Sequence, residues 1–513
     1  MSRPPKSPGT SRLTRREATD TAARPTLLPL FPRWREFIDP RGSYLVPVLL
    51  LAVARGVYAW RIPLAAEDAY ITFRYARDFV AGHGLVFNPG EHVMGFTSPL
   101  WTLWTALGIR LIGDPMLWTR AWSLIADAVT LVLVAGMLTR TCSRVSALIF
   151  GVFFAVWPYF NAVAASSMEN GPVLALVVLS AALTERGSRL AGPMLAALAL
   201  SRPEGFAAAL LLAIGARPRD RVVATAGAAL GLALLFAYYG TVIPQSVFAK
   251  ARMYGTPGPW LGRHWWDWFV PAPLGGAPVA MEGVQLFVFS VVFAPSVVVG
   301  AKALWEHRSS ALARSAAVGV CVWLGYSLLG VAYFYWYLVL PLGGLVILAA
   351  VGFPRVVRGP GVYVAACIFI AGMWYGAQTL YIGRAQNEYY LFGNTAKYLG
   401  ENARLGQKVM LEPIGIVGYF TELRIVDQIG LVSPAVARRR EEGPGWYTDI
   451  VRAERPDWLV ARRFELASGE SFAGTGTAFR SAAERDTLLG DYRLATIIEE
   501  RRGDQAIVIL RRR

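Results

Sequence analysis

Charge is the scarcest property of this 513-residue chain: Asp, Glu, Lys and Arg together make up 17% of it, against about 25% in an ordinary soluble domain. With 55% hydrophobic residues, the balance weighs against a water-facing globular protein and favours one that meets lipid. Cysteine is almost missing. Cys142, Cys321 and Cys367 lie singly in or beside apolar blocks, a spacing that excludes a disulfide framework and a cysteine-based zinc site. Histidine is equally rare, at 4 residues; His83 and His92 share a loop but have no companion ligand motif, so no metal site is expected. Acidic residues are outnumbered 35 to 51 by basic ones, for a net charge of +16. The basic residues fall in short links and at the ends rather than in one patch, which argues for membrane topology and against a nucleic-acid partner.

What the chain has in quantity is apolar blocks. Spans are predicted near 44–60, 119–138, 145–160, 171–184, 190–201, 205–216, 222–238, 284–303, 316–333, 337–353 and 361–379, about 11 transmembrane helices in all. The tail before Tyr44, rich in Pro, Ser, Thr and Arg, is expected to be disordered; Arg15 and Arg16 do not make it a cleaved leader, because no small-residue cleavage site follows the first apolar block. The positive-inside rule places this tail in the cytoplasm, together with the links holding Arg140 and Arg144, Arg186 and Arg189, Arg217, Arg219 and Arg221, Lys302, Arg308 and Arg314, and Arg355 and Arg358. The alternate links then face the periplasm of a bacterial inner (plasma) membrane. Nearly every polar motif lies in them, whereas a transporter places ionisable groups near the midplane.

The first of those motifs is Glu67-Asp68, followed by an amphipathic helix carrying Arg74 and Tyr75. A half-desolvated carboxylate at a membrane surface can take a proton from a hydroxyl; the plainer reading of the pair is a helix cap. Next comes a loop dense in Gly, Pro and aromatics, with His83, Asn88, Glu91 and the run Gly95-Phe96-Thr97-Ser98-Pro99-Leu100-Trp101, whose backbone is tightly specified. Glu169 follows in Ser166-Ser167-Met168-Glu169-Asn170. Arg202-Pro203-Glu204-Gly205 separates two short apolar segments and predicts helices meeting in a polar pocket, since an ion pair facing lipid is costly. Lys250 and Arg252 could neutralise a phosphate or simply snorkel. Trp260, Trp265, Trp266 and Trp268 read as an interfacial segment, and Arg55 as a snorkelling residue of the first span.

From about residue 380 the pattern changes. Strands are predicted at 408–420, 423–429, 457–461, 492–498 and 505–510, alternating with helical and turn segments, so a soluble α/β domain spans 380–513 and follows a membrane domain at 44–379 whose main outer loop is 61–117.

Taken in order, Glu67-Asp68-Ala-Tyr-Ile, Arg74-Tyr75, the 82–91 loop, Gly95 to Trp101, Arg202 to Gly205 and the run from Tyr238 to Lys250 resemble the GT-C glycosyltransferases, and within them the terminal arabinofuranosyltransferase (AftB) group of mycobacteria and its bacterial relatives. The resemblance implies an inverting transferase that takes a sugar, arabinofuranose among the candidates, from a polyprenyl-phosphate donor and passes it to a cell-envelope glycan or lipid acceptor. It implies an acidic base in the first periplasmic loop; Glu67 stands where the family usually has Asp, and the base is either Glu67 or Asp68. Arg74, Arg202 and Lys250 become candidate anion contacts, and Tyr75, His83, Asn88, Glu91, Glu169 and Glu204 candidate pocket residues. The related aminoarabinose transferases carry a Lys where this chain has Ser98, so phosphate binding by that route is not expected. A divalent cation remains open as a further requirement. The rival readings are a lipid-linked sugar flippase or transporter and a non-enzymatic envelope assembly protein.

Overall fold

The computed structural model describes residues 44–254, 293–329, 334–357, 382–468, 478–500 and 506–513, with residues 42, 331, 359 and 364 as single positions. The expectations for the basic tail, the Trp260 to Trp268 segment, Cys367 and the span at 361–379 lie outside the described residues.

Among the described residues the apolar blocks are helices. In chain order they are α1 (Leu45–Arg61), α2 (Glu67–Val80), α3 (Pro99–Ile112), α4 (Pro115–Thr141), α5 (Arg144–Val156), α6 (Pro158–Ala165), α7 (Asn170–Glu185), α8 (Ala191–Ala199), α9 (Pro203–Ala213), α10 (Pro218–Tyr239), α11 (Gln245–Tyr254), α12 (Ala294–Trp305), α13 (Ala311–Leu328) and, after a 3-10 turn at Tyr335–Leu338, α14 (Val339–Val356). Starts are set by side chains that satisfy exposed backbone N–H groups: Asp114 accepts from Met116 and Leu117 at 2.9 and 3.0 Å, and Ser143 from Ser146 at 3.0 Å. Proline opens α3, α4, α6, α9 and α10, where its missing N–H costs nothing.

Four stretches among the described residues are long and apolar enough to cross a membrane, and α5 with α6 makes a fifth if the bent pair is one span. Their 52° bend falls at Trp157-Pro158, where proline withdraws a hydrogen bond and clashes with the preceding turn. The predicted spans within the described residues all fall on helices, but not all are spans by themselves: α8 has 9 residues and α9 has 11, about 14 and 17 Å at 1.5 Å per residue. Helix α3 is an addition, formed within what the sequence reads as loop. Glycine allows α12 and α13 to approach α14 closely: a Cβ on Gly300 would overlap the Leu348 carbonyl, and one on Gly319 would lie 2.5 Å from that of Leu340. Helix α10 faces outward along nearly all its length, with only Asp220 and Ala228 buried.

The links sort to two ends of the bundle. At one end Arg217 lies against Gly187, Arg314 against Gly215, and Glu185 accepts from the Ala311 N–H at 3.2 Å, so the basic links meet one another. At the other end Ala66 donates to the Ser166 carbonyl at 2.9 Å, and Asn170 to that of Trp336 at 2.8 Å.

The C-terminal residues build a five-stranded sheet in the order β2-β1-β3-β5-β4, with β1 at Lys408–Leu411, β2 at Arg424–Asp427, β3 at Trp458–Arg462, β4 at Tyr492–Ile498 and β5 at Ile507–Arg512. Strand β1 runs parallel to β2 and β3; β5 is antiparallel to β3 and β4. The predicted strand at 408–420 is corrected to four residues, because residues 415–420 form a short helix (Gly415–Phe420). Successive side chains alternate between faces. Val409, Leu411, Trp458, Val460, Ile507 and Ile509 join a core with Tyr70, Phe73, Tyr75 and Phe87 of α2 and its loop, whereas Met410, Leu459, Val508 and Leu510 pack against Trp446, Ile450 and Val451. One face of the sheet therefore shares its core with the loop that follows α1.

Candidate active site

The acid pair begins α2, at the seam between bundle and sheet. Glu67 accepts a hydrogen bond from the Ile416 N–H at 2.9 Å. The approach needs glycine next door, since a Cβ on Gly415 would overlap the Glu67 carbonyl. Burial pushes the Glu67 carboxyl well above its usual range, and the negative charge of Asp68 pushes the same way; the Ile416 N–H opposes them in part, while Glu412 and Glu388 add to the rise. Asp68 takes a different partner, the Lys250 ammonium of α11 at 2.7 Å, with both side chains mostly buried. Burial, the largest single influence, lowers the Lys250 pKa; the Asp68 charge, Tyr337 and the hydrogen bond to Asp68 together more than offset it and hold the group above its ordinary value.

Lys250 also lies over aromatic faces, 4.5 Å from the Phe334 ring centre and 5.8 Å from that of Trp336. These rings belong to the turn that leads into α14, which is anchored by Tyr159 donating to the Tyr335 carbonyl at 2.7 Å and by Asn170 donating to that of Trp336. Tyr337 on the same turn underlies Arg202 at 5.2 Å. Arg202, between α8 and α9, is ion-paired with both Glu169 and Glu204 and is buried with Glu169; Glu204 is also hydrogen-bonded with Tyr326. The polar pocket expected from Arg202-Pro203-Glu204-Gly205 is thus present, with Glu169 as its second acid. Glu67, Asp68, Lys250, Arg202, Glu169 and Glu204 come from four separate links and gather at one end of the bundle.

The other sequence-derived candidates form a seam beside this cluster. Arg74 is buried and donates to the carbonyls of Phe87 at 2.9 Å, Thr421 at 2.8 Å and Gly418, and to Asp78 at 3.2 Å. Its guanidinium joins α2 to the sheet domain, a placement different from the anion contact expected of it. Asn88 pairs through its amide with the backbone of Ile425, accepting from N–H at 3.0 Å and donating to the carbonyl at 2.9 Å, as a neighbouring strand would. Glu91 is ion-paired with Arg424 of β2, and Arg252 with Glu441. The Tyr75 hydroxyl donates to the Val93 carbonyl at 2.6 Å and accepts from the Gly95 N–H at 2.9 Å, fixing the loop. His83 is half exposed and 3.8 Å from Asp78. Among the described residues no group of three His, Cys, Asp or Glu is placed to hold a metal.

Two findings were not anticipated. The aromatic turn Phe334 to Tyr337 reads in sequence as a mere link, because nothing local marks which cations will cross it. Arg55, expected to snorkel, is instead buried: it pairs with Asp127 of α4 at 2.8 Å, donates to the Phe154 and Ala155 carbonyls at 3.3 and 3.2 Å, and contacts Asn161. Both carbonyls lie at the end of α5, and Pro158 brings no N–H to meet that of Phe154. Not all ionisable groups therefore collect at one surface; this pair supports the α5–α6 bend from inside the bundle.

A family model described as a domain of unknown function (DUF8728) matches residues 378–509. A terminal beta-(1->2)-arabinofuranosyltransferase of Mycobacterium tuberculosis is 30% identical over 243 residues, covering 41% of this chain and 38% of that protein, so the match spans well under half of the relative's length. Among solved structures, ArnT from Cupriavidus metallidurans bound to undecaprenyl phosphate matches with a TM-score of 0.58 at 13% identity, over 90% of this chain and 97% of that one; its apo form matches with a TM-score of 0.52 over the same shares. The chain accordingly shares the fold of ArnT, and its apolar helices are those of a multi-pass membrane protein.

Proposed function

We propose that the chain is a membrane glycosyltransferase that moves a sugar from a polyprenyl-phosphate donor to a glycan or lipid acceptor, with its acid pair on the periplasmic side of the bacterial inner membrane. The observation that carries this reading is the Asp68–Lys250 pair at 2.7 Å, which sets a carboxylate beside a cation at the bundle end opposite the basic links. The chemistry needs both. A base removes the proton of the acceptor hydroxyl as that oxygen attacks the anomeric carbon; the phosphate leaves as an anion and needs charge compensation rather than a proton.

Asp68 is assigned as the base and Glu67 as a positioning residue. Glu67 already accepts from Ile416, and burial favours its neutral form, whereas a base must be ionised. Lys250 is assigned to the phosphate. Arg202, held between Glu169 and Glu204, shapes the pocket beside it; Tyr75, Asn88, Glu91, His83 and Arg74 hold the loop and the sheet domain in register. The likeness to a terminal arabinofuranosyltransferase supports arabinofuranose as the sugar, and the lipid bound in ArnT supports a polyprenyl-phosphate carrier. A divalent cation is not required by this scheme.

The test is transfer in reconstituted vesicles with donor supplied on the outside. Asp68→Asn should lower turnover by about 10²–10⁴, and the Glu67→Gln, Asp68→Asn double variant should show no transfer. Full activity in the double variant sinks the assignment. Movement of the lipid-linked sugar across the bilayer without transfer would instead favour the flippase.

A further inference from the structure

Resting on the donor reading above, we propose that Lys250 is shared between Asp68 and the donor phosphate, so that an arriving phosphate draws the ammonium away from Asp68 and frees that carboxylate for the acceptor hydroxyl.

Among the described residues the geometry leaves few other ways for this end of the bundle to serve both anions. Arg202 is already bracketed by Glu169 and Glu204, and its planar fork is engaged on both sides. Lys250 has one carboxylate at 2.7 Å, and its other contacts in the site are the faces of Phe334 and Trp336. An ammonium carries three N–H donors, and ring faces are weak acceptors beside a phosphate oxygen. The groups that face it are Asp68 from α2, Tyr337 from the aromatic turn and Arg202 from the α8–α9 link, with Glu67 adjacent to Asp68. Of these, Asp68 supplies the main attraction and Arg202 a repulsion. A second anion therefore competes chiefly with Asp68, and a flexible four-carbon stem lets the ammonium swing between the two.

Competition of this kind is a coupling between two sites, and it is reciprocal: whatever weakens the hold of Asp68 on Lys250 must strengthen the hold of phosphate on it. The consequence for the reaction is order. The acceptor hydroxyl meets a carboxylate released from its ammonium only when a phosphate is in place to leave, which disfavours idle engagement of the hydroxyl without donor.

The experiment is a double-mutant cycle read as affinity for undecaprenyl monophosphate, with full-length protein in nanodiscs. Asp68→Asn should tighten binding by about tenfold, and Lys250→Gln should weaken it; Asp68→Asn placed in the Lys250→Gln background should change nothing. Unaltered or weaker binding in Asp68→Asn overturns the proposal. So does tightening that persists without Lys250, which would mean that Asp68 merely repels the phosphate. Should Lys250→Gln fail to fold, infrared difference spectra of the wild type answer the same question: saturating undecaprenyl monophosphate should shift a carboxylate band that is missing in Asp68→Asn, and no shift rejects the coupling. Because sugar transfer is not measured, absence of any lipid-phosphate binding by the wild type would count against the donor reading itself, separately from the coupling.

Discussion

At the scale of single residues, three acids illustrate how burial and partners set the surroundings of a carboxyl group. Asp427 is fully buried at the end of β2 and accepts from the N–H groups of Ile429 and Val432 at 2.8 and 3.0 Å. Burial raises its pKa to about 6 against the backbone N–H groups that oppose the rise. A carboxyl raised in the folded state binds its proton there before the unfolded chain does, so its stabilising effect is complete below the unfolded value and is lost as pH rises through the window from about 4 to 6. In Asp427→Asn that slope should vanish, and a buried N–H left without its acceptor should cost about 1–3 kcal/mol; melting curves of both proteins across this pH range check both parts. The acids at 67 and 68 were legible in the sequence because they stand together after an apolar block. Their different partners were not, since these are Ile416 and Lys250, which lie 349 and 182 positions away.

At the scale of elements, positions of helices were legible from hydropathy, and their lengths less so. A hydrophobic block records that a segment avoids water, but α8 and α9 satisfy that condition inside a bundle as well as a full span would. The Arg55–Asp127 pair was hidden for a related reason: Arg55 at the outer part of a span has a lipid-facing solution, and only the packing of α4 against α1 supplies Asp127. Removing Arg55 alone (Arg55→Met) should leave Asp127 buried without its cation and cost about 3–5 kcal/mol, whereas Arg55→Met combined with Asp127→Leu should recover much of the loss; thermal denaturation in detergent measures the difference. The contact between α12 and α14 makes a second demand. Gly352→Leu cannot fit, because even a Cβ there overlaps the Ser296 carbonyl, so this variant should lose monodispersity on size exclusion, while Gly325→Ala, with open space around it, should not.

At the scale of the whole molecule, the bundle and the sheet domain are joined through a common core rather than by a tether. Tyr70, Phe73, Tyr75 and Phe87 fill the face of the sheet formed by Val409, Trp458 and Ile509, and Arg74, Arg77 and Asn88 fasten its edge. A fragment comprising residues 382–513 alone would expose that face. It should therefore aggregate or show rapid amide exchange across β1 and β3, in contrast to the same residues in the full chain. A protected, monomeric fragment would revive the view of the membrane part as a simple anchor. The sequence showed that strands follow the bundle, through their two-residue alternation, but not that residues 70–87 would pack on one of their faces.

The seam at Gly415 and Glu67 also fixes a sequence of events. The ribosome releases the acid pair early and the segment that grips it only after the intervening membrane helices have been made. Until then the loop after α1 has neither its hydrogen-bond donor from Ile416 nor the apolar wall it rests on, so the end of the bundle that carries the acid pair is completed last. A nascent chain interrupted before residue 415 would lack both the N–H that Glu67 accepts from and the apolar wall behind it.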